Sequence, residues 1–115
     1  MTYTLIHHTG CGTSRKGLAL LQENGIEPEL RKYMNASERL SVAELMDIAK
    51  KMGAKSPREF LRAKDAEKLG LAPDLSDEKL YEAMAANPSL IQRPIGINGK
   101  KAALGRPVEK LLEIR

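Results

Sequence analysis

Residues 3–17 read Tyr3-Thr4-Leu5-Ile6-His7-His8-Thr9-Gly10-Cys11-Gly12-Thr13-Ser14-Arg15-Lys16-Gly17, and this stretch decides the fold. Tyr3 through His7 is short, apolar and β-prone, which predicts a strand. His8 through Thr13 carries two glycines, the composition of a tight turn. Ser14 then opens a helical run to Asn24. Leu18, Leu20 and Leu21 give that run its apolar face, and Gly25 stands where a C-terminal cap belongs. Glu29 through Tyr33 reads as a second strand. Strand, helix and strand in this order predict a parallel pair joined by a right-handed crossover.

Working outward, Ser41 is expected to cap a helix through Met52, with Leu45, Ile48, Ala49 and Met52 on one stripe. Ser56-Pro57-Arg58-Glu59 has the order of a helix start, and predicts a short helix through Ala63. A further helix spans Ser76 to Ala86 and stops before Pro88. Residues 95–98 and 101–104 are joined through Asn98-Gly99, a hairpin signal. Pro107 suits the first turn of a last helix, 107–113. The fold class is therefore α/β, with a small mixed four-stranded sheet. A helical insertion at about 34–90 separates a β-α-β half from a β-β-α half. With no repeat and no linker, residues 1–115 read as one domain.

Composition narrows the function. Of 115 residues, 42% are apolar and 30% charged, as in a soluble globular chain. No apolar run approaches the ~20 residues of a membrane helix. No basic start precedes a long apolar stretch, so a cytoplasmic location is expected. The net charge of +4 suits an anionic partner. Aromatics are only 3%, Trp is missing and the basic residues are dispersed, which argues against nucleic acid. A small oxyanion held by arginines fits the same charge. A monomer is the default expectation.

One cysteine excludes an internal disulfide and a multi-cysteine zinc site. A lone cysteine is usually a small buried hydrophobe. Cys11, however, lies in a glycine-flanked loop at a predicted helix N-terminus, where backbone N–H groups and the helix dipole favour negative charge. Arg15, Lys16, His7 and His8 stand close in sequence and add to the effect. These are the surroundings of a low-pKa, reactive thiol. The same loop, through Gly10, Gly12 and Thr13, can donate N–H bonds to an anion. The plain alternative is an ordinary strand-to-helix turn. Ser14 stands where a Cys-x-x-Cys motif would place its second sulfur. Any redox cycle at Cys11 therefore needs an outside thiol, such as glutathione or a redoxin.

Arg62, Arg93 and Arg106 are the other candidates. Each alone reads as a solvated charge. Two of them precede prolines at the borders of the predicted hairpin, which holds them extended and aims their side chains. Arginine forks bind tetrahedral oxyanions bidentately. His7 has two readings: it tunes Cys11, or it ends the strand with its ring packed inside. His8 reads as exposed. Two histidines without further ligands at metal spacing make no metal site.

Four separated segments carry a resemblance: Cys11-Gly12-Thr13-Ser14-Arg15, Phe60-Leu61-Arg62, Leu90-Ile91-Gln92-Arg93-Pro94-Ile95 and Gly105-Arg106-Pro107. In order and spacing, over essentially the whole chain, they resemble the glutaredoxin-coupled arsenate reductases. Lys68-Leu69-Gly70-Leu71 is similar to that family's run ahead of its next helix. The resemblance implies a thioredoxin-like fold with a helical insertion, and a cis peptide at Arg93-Pro94. It implies that the Cys11 thiolate attacks arsenate, that glutathione joins the arsenocysteine intermediate as co-substrate, and that glutaredoxin helps release arsenite. No bound cofactor is implied. Arg62, Arg93 and Arg106 would hold the oxyanion, together with the loop at Gly12, Thr13 and Ser14. Arg15 would be the motif's basic residue, and His7 would favour the thiolate.

Two departures stand out. His8-Thr9 replaces the Asn-Pro that usually follows that histidine. Gly105 stands where some members have Cys. A related glutathione-dependent thiol oxidoreductase and an Spx-like redox or transcription regulator remain the alternatives, because fold resemblance does not fix function.

Overall fold

The computed structural model describes residues 2–115. Strands β1 (Tyr3–Ile6), β2 (Glu29–Arg31), β3 (Ile95–Asn98) and β4 (Lys101–Leu104) form one sheet in the order β2-β1-β3-β4. The β1/β2 pair is parallel, whereas β1/β3 and β3/β4 are antiparallel. The helices are α1 (Gly12–Glu23), α2 (Val42–Met52), α3 (Ala63–Lys68) and α4 (Asp77–Ala86). Single turns of 3-10 helix at Ala36–Glu38, Pro57–Phe60 and Pro88–Leu90, and a longer one at Val108–Ile114, complete the order.

The pleat of β1 explains the two-sided core. Tyr3 and Leu5 point to one face, where they meet Leu21 of α1 and Leu111 and Ile114 of the C-terminal 3-10 segment. Ile6 points to the other face and joins Leu45, Ile48, Phe60, Met84, Leu90, Ile91 and Ile95. The insertion between β2 and β3 is thus the second layer covering the sheet. Each fully buried Leu or Ile contributes about 1.5–3 kcal/mol of transfer free energy. That burial anchors the segments carrying Arg62 and Arg93, because Phe60, Leu90 and Ile91 are each 0% exposed.

Local signals hold where they are strong. Ser41 caps α2 in a full capping box with Glu44. Glu44 also takes both Nη atoms of Arg31, at 2.9 and 3.2 Å, which ties the end of β2 to the start of α2. Ser76 caps α4, and Asn98-Gly99 turns the hairpin, with Gly99 at φ +63°. Among the described residues no helix is long and apolar enough to cross a membrane.

Several expectations are corrected. The strand expected through His7 ends at Ile6, and the one expected through Tyr33 ends at Arg31, because the chain turns with Tyr33 N–H donating to the Arg31 carbonyl. Helix α1 starts at Gly12 rather than at Ser14, with Cys11 as its N-cap. The helix expected at 56–63 is one 3-10 turn, and α3 follows as a separate element. The last helix, expected at 107–113, is 3-10 in form and starts after Pro107. Arg93-Pro94 is cis, as expected, and Arg106-Pro107 is cis as well.

Candidate active site

Three segments far apart in sequence meet at the C-terminal end of β1. The first is the loop 7–11 leading into α1. Cys11 N–H donates to the His8 carbonyl, and the Cys11 carbonyl accepts the first helical bond from Arg15 N–H. Cys11 therefore occupies the position that Ser, Thr, Asp or Asn usually fills. Its thiol makes no capping hydrogen bond. Once ionised it is served by the backbone N–H groups of Ser14 and Thr13. Partial burial pushes the Cys11 thiol up. The Ser14 N–H, the Arg93 guanidinium and the Thr13 N–H outweigh that and hold it below its ordinary value.

The arginines come from the other two segments. The Arg93 guanidinium acts electrostatically on the Cys11 thiol, helping to hold its pKa down. Its Nε is sealed from solvent without an acceptor, a polar cost carried in the middle of the site. Arg106 reaches from just beyond β4, with Nη2 3.9 Å from the Cys11 sulfur. Its Nε donates to the Arg93 carbonyl at 2.9 Å, so the two arginines are held as a pair. Arg62 caps α3 and binds Asp65 at 2.6 Å, while its backbone N–H donates to the Leu90 carbonyl at 2.7 Å. Its charge helps lower the pKa of His8.

The remaining candidates have different places from those expected. Ser14 is fully buried in the first turn of α1. Its hydroxyl oxygen accepts from His8 N–H at 3.1 Å and lies 2.7 Å from His7 Nδ1. The hydroxyl and Nδ1 thus share one hydrogen bond behind the loop. Burial lowers the His7 pKa first, and the charges of His8, Lys32 and Arg15 add to it. Of its two readings, the packed ring is the one seen. The lowered pKa of the buried ring works against a positive charge on His7 beside the thiol. His7 instead anchors the loop from behind.

Ser14 likewise offers the site its backbone N–H and not its hydroxyl. Arg15 is exposed and donates to the Thr9 carbonyl at 2.8 Å, bracing the loop in which Asn-Pro is missing. Gly12 is exposed at the first position of α1, and Thr13 is half-buried beside it. His8 is half-buried rather than exposed. Burial, then Arg93 and Arg62, lower its pKa.

Sequence reasoning missed two members. Tyr33 passed as the end of a strand, yet it is 0% exposed, and its hydroxyl donates to the Ile91 carbonyl at 3.2 Å. Asp65 pairs with Arg62, and the i,i+3 spacing was the signal available for it. Gly105 is buried, and a Cβ there would lie 2.9 Å from Pro94 and 3.0 Å from Leu111. A cysteine at this position would need its neighbours to move. Among the described residues no three His, Cys, Asp or Glu side chains gather at metal-binding spacing.

The arrangement is chemically specific. It sets one activated sulfur among guanidinium groups and helix N-terminal N–H groups, which suits attack on a tetrahedral oxyanion.

Comparison with known proteins agrees with this geometry. The model of the ArsC family matches residues 6–114. The arsenate reductase of Haemophilus influenzae is 43% identical over 117 residues, covering 99% of each chain. The uncharacterized protein YfgD of Escherichia coli is 42% identical over 113 residues, covering 96% of this chain and 93% of its own. The solved structure of arsenate reductase from Vibrio cholerae superposes with a TM-score of 0.88 at 38% identity, covering 100% of this chain and 98% of that one. With the mixed four-stranded sheet, these matches establish the thioredoxin-like fold. The four motif segments, the cluster that they build around Cys11 and the full-length likeness lead to one conclusion: the chain belongs to the ArsC family.

Proposed function

We propose that this protein reduces arsenate to arsenite through Cys11, with glutathione and glutaredoxin as the source of electrons. The observation that carries the reading is the Cys11 sulfur at the N-terminus of α1 with the Arg106 guanidinium 3.9 Å away, its pKa held down further by the Arg93 charge. Relatives named arsenate reductase at 37–43% identity support the substrate.

The chemistry follows from the donors. The thiolate displaces a hydroxyl of arsenate as water, which forms a sulfur–arsenic(V) bond. Arg93, Arg106 and the N–H groups of Thr13 and Ser14 hold the charged oxygens during that step. Glutathione adds to arsenic in the same way, releasing a second water. The glutaredoxin thiol then attacks the arsenic-bound glutathione sulfur; those two sulfurs leave as a mixed disulfide, their two electrons take arsenic(V) to arsenic(III), and the arsenic stays on Cys11. Hydrolysis then frees arsenite and returns the Cys11 thiol. The chain holds one cysteine, so no sulfur of its own can resolve the intermediate.

The test is arsenite production from arsenate with glutathione and glutaredoxin supplied, comparing wild type with Cys11→Ser. Turnover lost in the variant is the expected result. A wild type inactive on arsenate but active in reducing a mixed disulfide would transfer the assignment to a thiol oxidoreductase. Capture of RNA polymerase without any glutathione-linked turnover would transfer it to a regulator.

A further inference from the structure

Arg62 and Arg106 are held in the same way. Each gives its Nε to an acceptor in the protein, Arg106 to the Arg93 carbonyl at 2.9 Å and Arg62 to Asp65 Oδ2 at 2.6 Å. In Arg106 this leaves Nη2 at 3.9 Å from the Cys11 sulfur. In Arg62 it leaves both Nη groups without a protein partner among the described residues. Arg31 shows the contrast. Its Nε donates to the Glu38 carbonyl, and its Nη groups are taken by Glu44 and the Arg39 carbonyl.

The backbone of Arg62 is fixed first. Leu61 pairs antiparallel with Ile91, Arg62 N–H donates to the Leu90 carbonyl at 2.7 Å, and Gln92 N–H donates to the Phe60 carbonyl at 2.9 Å. This short ladder joins Arg62 to the segment that continues into Arg93, the acceptor of Arg106. A long side chain on a fixed backbone still samples many rotamers. Asp65 removes that freedom from the first turn of α3, at i+3, with both side chains partly shielded at 29% and 23% exposed. An aspartate there also suits the helix dipole, which is reason enough for its charge. The form of the contact says more. A carboxylate that pairs a guanidinium off binds it bidentately, as Glu44 binds Arg31. Asp65 takes the Nε edge alone.

We propose that Asp65 is a positioning residue for Arg62, holding its Nε so that the Nη groups face the oxyanion bound at Cys11. This rests on the reading of Arg62 as one of the arginines that hold the anion. It does not require that arsenate be reduced. The consequence runs against simple charge. Removing a carboxylate beside an anion site raises the local positive potential, which by itself tightens the anion. Loss of a preorganised guanidinium weakens it.

The test uses phosphate, a tetrahedral oxyanion, to protect Cys11 of the full-length protein from iodoacetamide at fixed pH and ionic strength. Each variant is referred to its own rate without phosphate. Asp65→Asn keeps the shape and removes the charge. Its half-protecting concentration should rise by roughly 3–10-fold, part of the worth of one hydrogen bond to a charged group. Asp65→Glu, which can still reach Nε, should recover part of the loss. In an Arg62→Met background, Asp65→Asn should weaken protection no further, as an effect transmitted through Arg62 requires. Protection that is unchanged or tighter in Asp65→Asn overturns the proposal alone. Equal weakening in both backgrounds overturns it in favour of a purely structural role. A wild type that phosphate does not protect overturns the oxyanion reading, and the proposal with it.

A second measurement needs no variant at Asp65. The Arg62 Nε–H signal of 15N-labelled protein is assigned by its loss in Arg62→Lys. In wild type it should stay visible and shift as phosphate is added, with the bond to Asp65 kept. A signal lost to solvent exchange on addition would show that Asp65 lets go when the anion arrives, and would make the carboxylate a competitor. A signal indifferent to phosphate at protecting concentrations would remove Arg62 from the anion site. Either result overturns the proposal.

Discussion

His7 Nδ1 and Ser14 Oγ lie 2.7 Å apart, a buried pair directly behind the thiol loop. Burial, with the nearby charges of His8, Lys32 and Arg15, holds the His7 pKa below its ordinary value, which links loop anchoring to pH. A base whose folded pKa is depressed costs stability as pH falls, because the unfolded chain takes up the proton first. The effect begins near the unfolded value of about 6.5 and continues down to the folded value. Wild type should therefore lose more thermal stability between pH 7 and 5 than His7→Asn, whose amide oxygen can accept from Ser14 without titrating. Parallel melting curves for the two proteins would contradict a lowered His7 pKa.

Cys11 holds a capping position with a weak acceptor. Cys11→Ser should abolish turnover and yet stabilise the fold, since serine is a preferred cap worth about 0.5–1 kcal/mol here. The melting temperature should rise by roughly 2–5 °C. The gain should depend on pH in a known direction. A thiol with a depressed folded pKa stabilises wild type most above its unfolded value, and that benefit disappears as pH falls through the folded one. The serine variant should lead by most in acid and by least above about pH 8.5. Calorimetry across pH measures this directly.

Arg106 contacts the sulfur with one nitrogen and the Arg93 carbonyl with another. Lysine has one nitrogen and cannot do both. Arg106→Lys should lower arsenate kcat/KM by about 10–100-fold, the effect of losing one hydrogen bond to a charged group. Reduction of a simple mixed disulfide, which carries no tetrahedral anion, should change much less. Equal losses on both substrates would argue against an oxyanion-holding role.

Gly17 lies where α1 presses on the opposite elements. A Cβ there would sit 2.9 Å from Leu111 Cδ1 and 3.0 Å from Pro94 Cγ. Alanine gains about 1 kcal/mol in helix propensity over glycine but overpacks this contact by roughly 1–3 kcal/mol. Gly17→Ala should be net destabilising, with the melting temperature lower by roughly 3–10 °C. An unchanged or raised value would show that Leu111 can yield.

Much of this molecule was legible in the sequence where the signal was local. The strand, glycine loop and helix around Cys11, the Ser41 cap and the Asn98-Gly99 turn all rest on neighbouring residues. Helix α3 was missed because none of its residues is buried, so it shows no apolar stripe. The start of α1 was misplaced because a cysteine at the cap carries no sequence signal, and Ser14 looked like the natural cap. The roles of His7 and Tyr33 depend on partners 7 and 58 residues away, Ser14 and Ile91. No spacing rule relates such positions. The arginine cluster was proposed from motif order, and only the packed sheet shows which members reach the sulfur.

The β3–β4 hairpin also serves as a ruler. Ile95 pairs with Leu104, Gly105 N–H then donates to the Pro94 carbonyl, and the Arg106 side-chain Nε to the Arg93 carbonyl. The ladder runs from the turn to the arginine pair without a break. A residue added or deleted within either strand would shift the register by one and throw a side chain to the other face. Arg93 and Arg106 would no longer converge. The exposed tip at Gly99 and Lys100 is outside this constraint. Insertions for labels or affinity tags are tolerated best there, at the end of the molecule that the chemistry does not use.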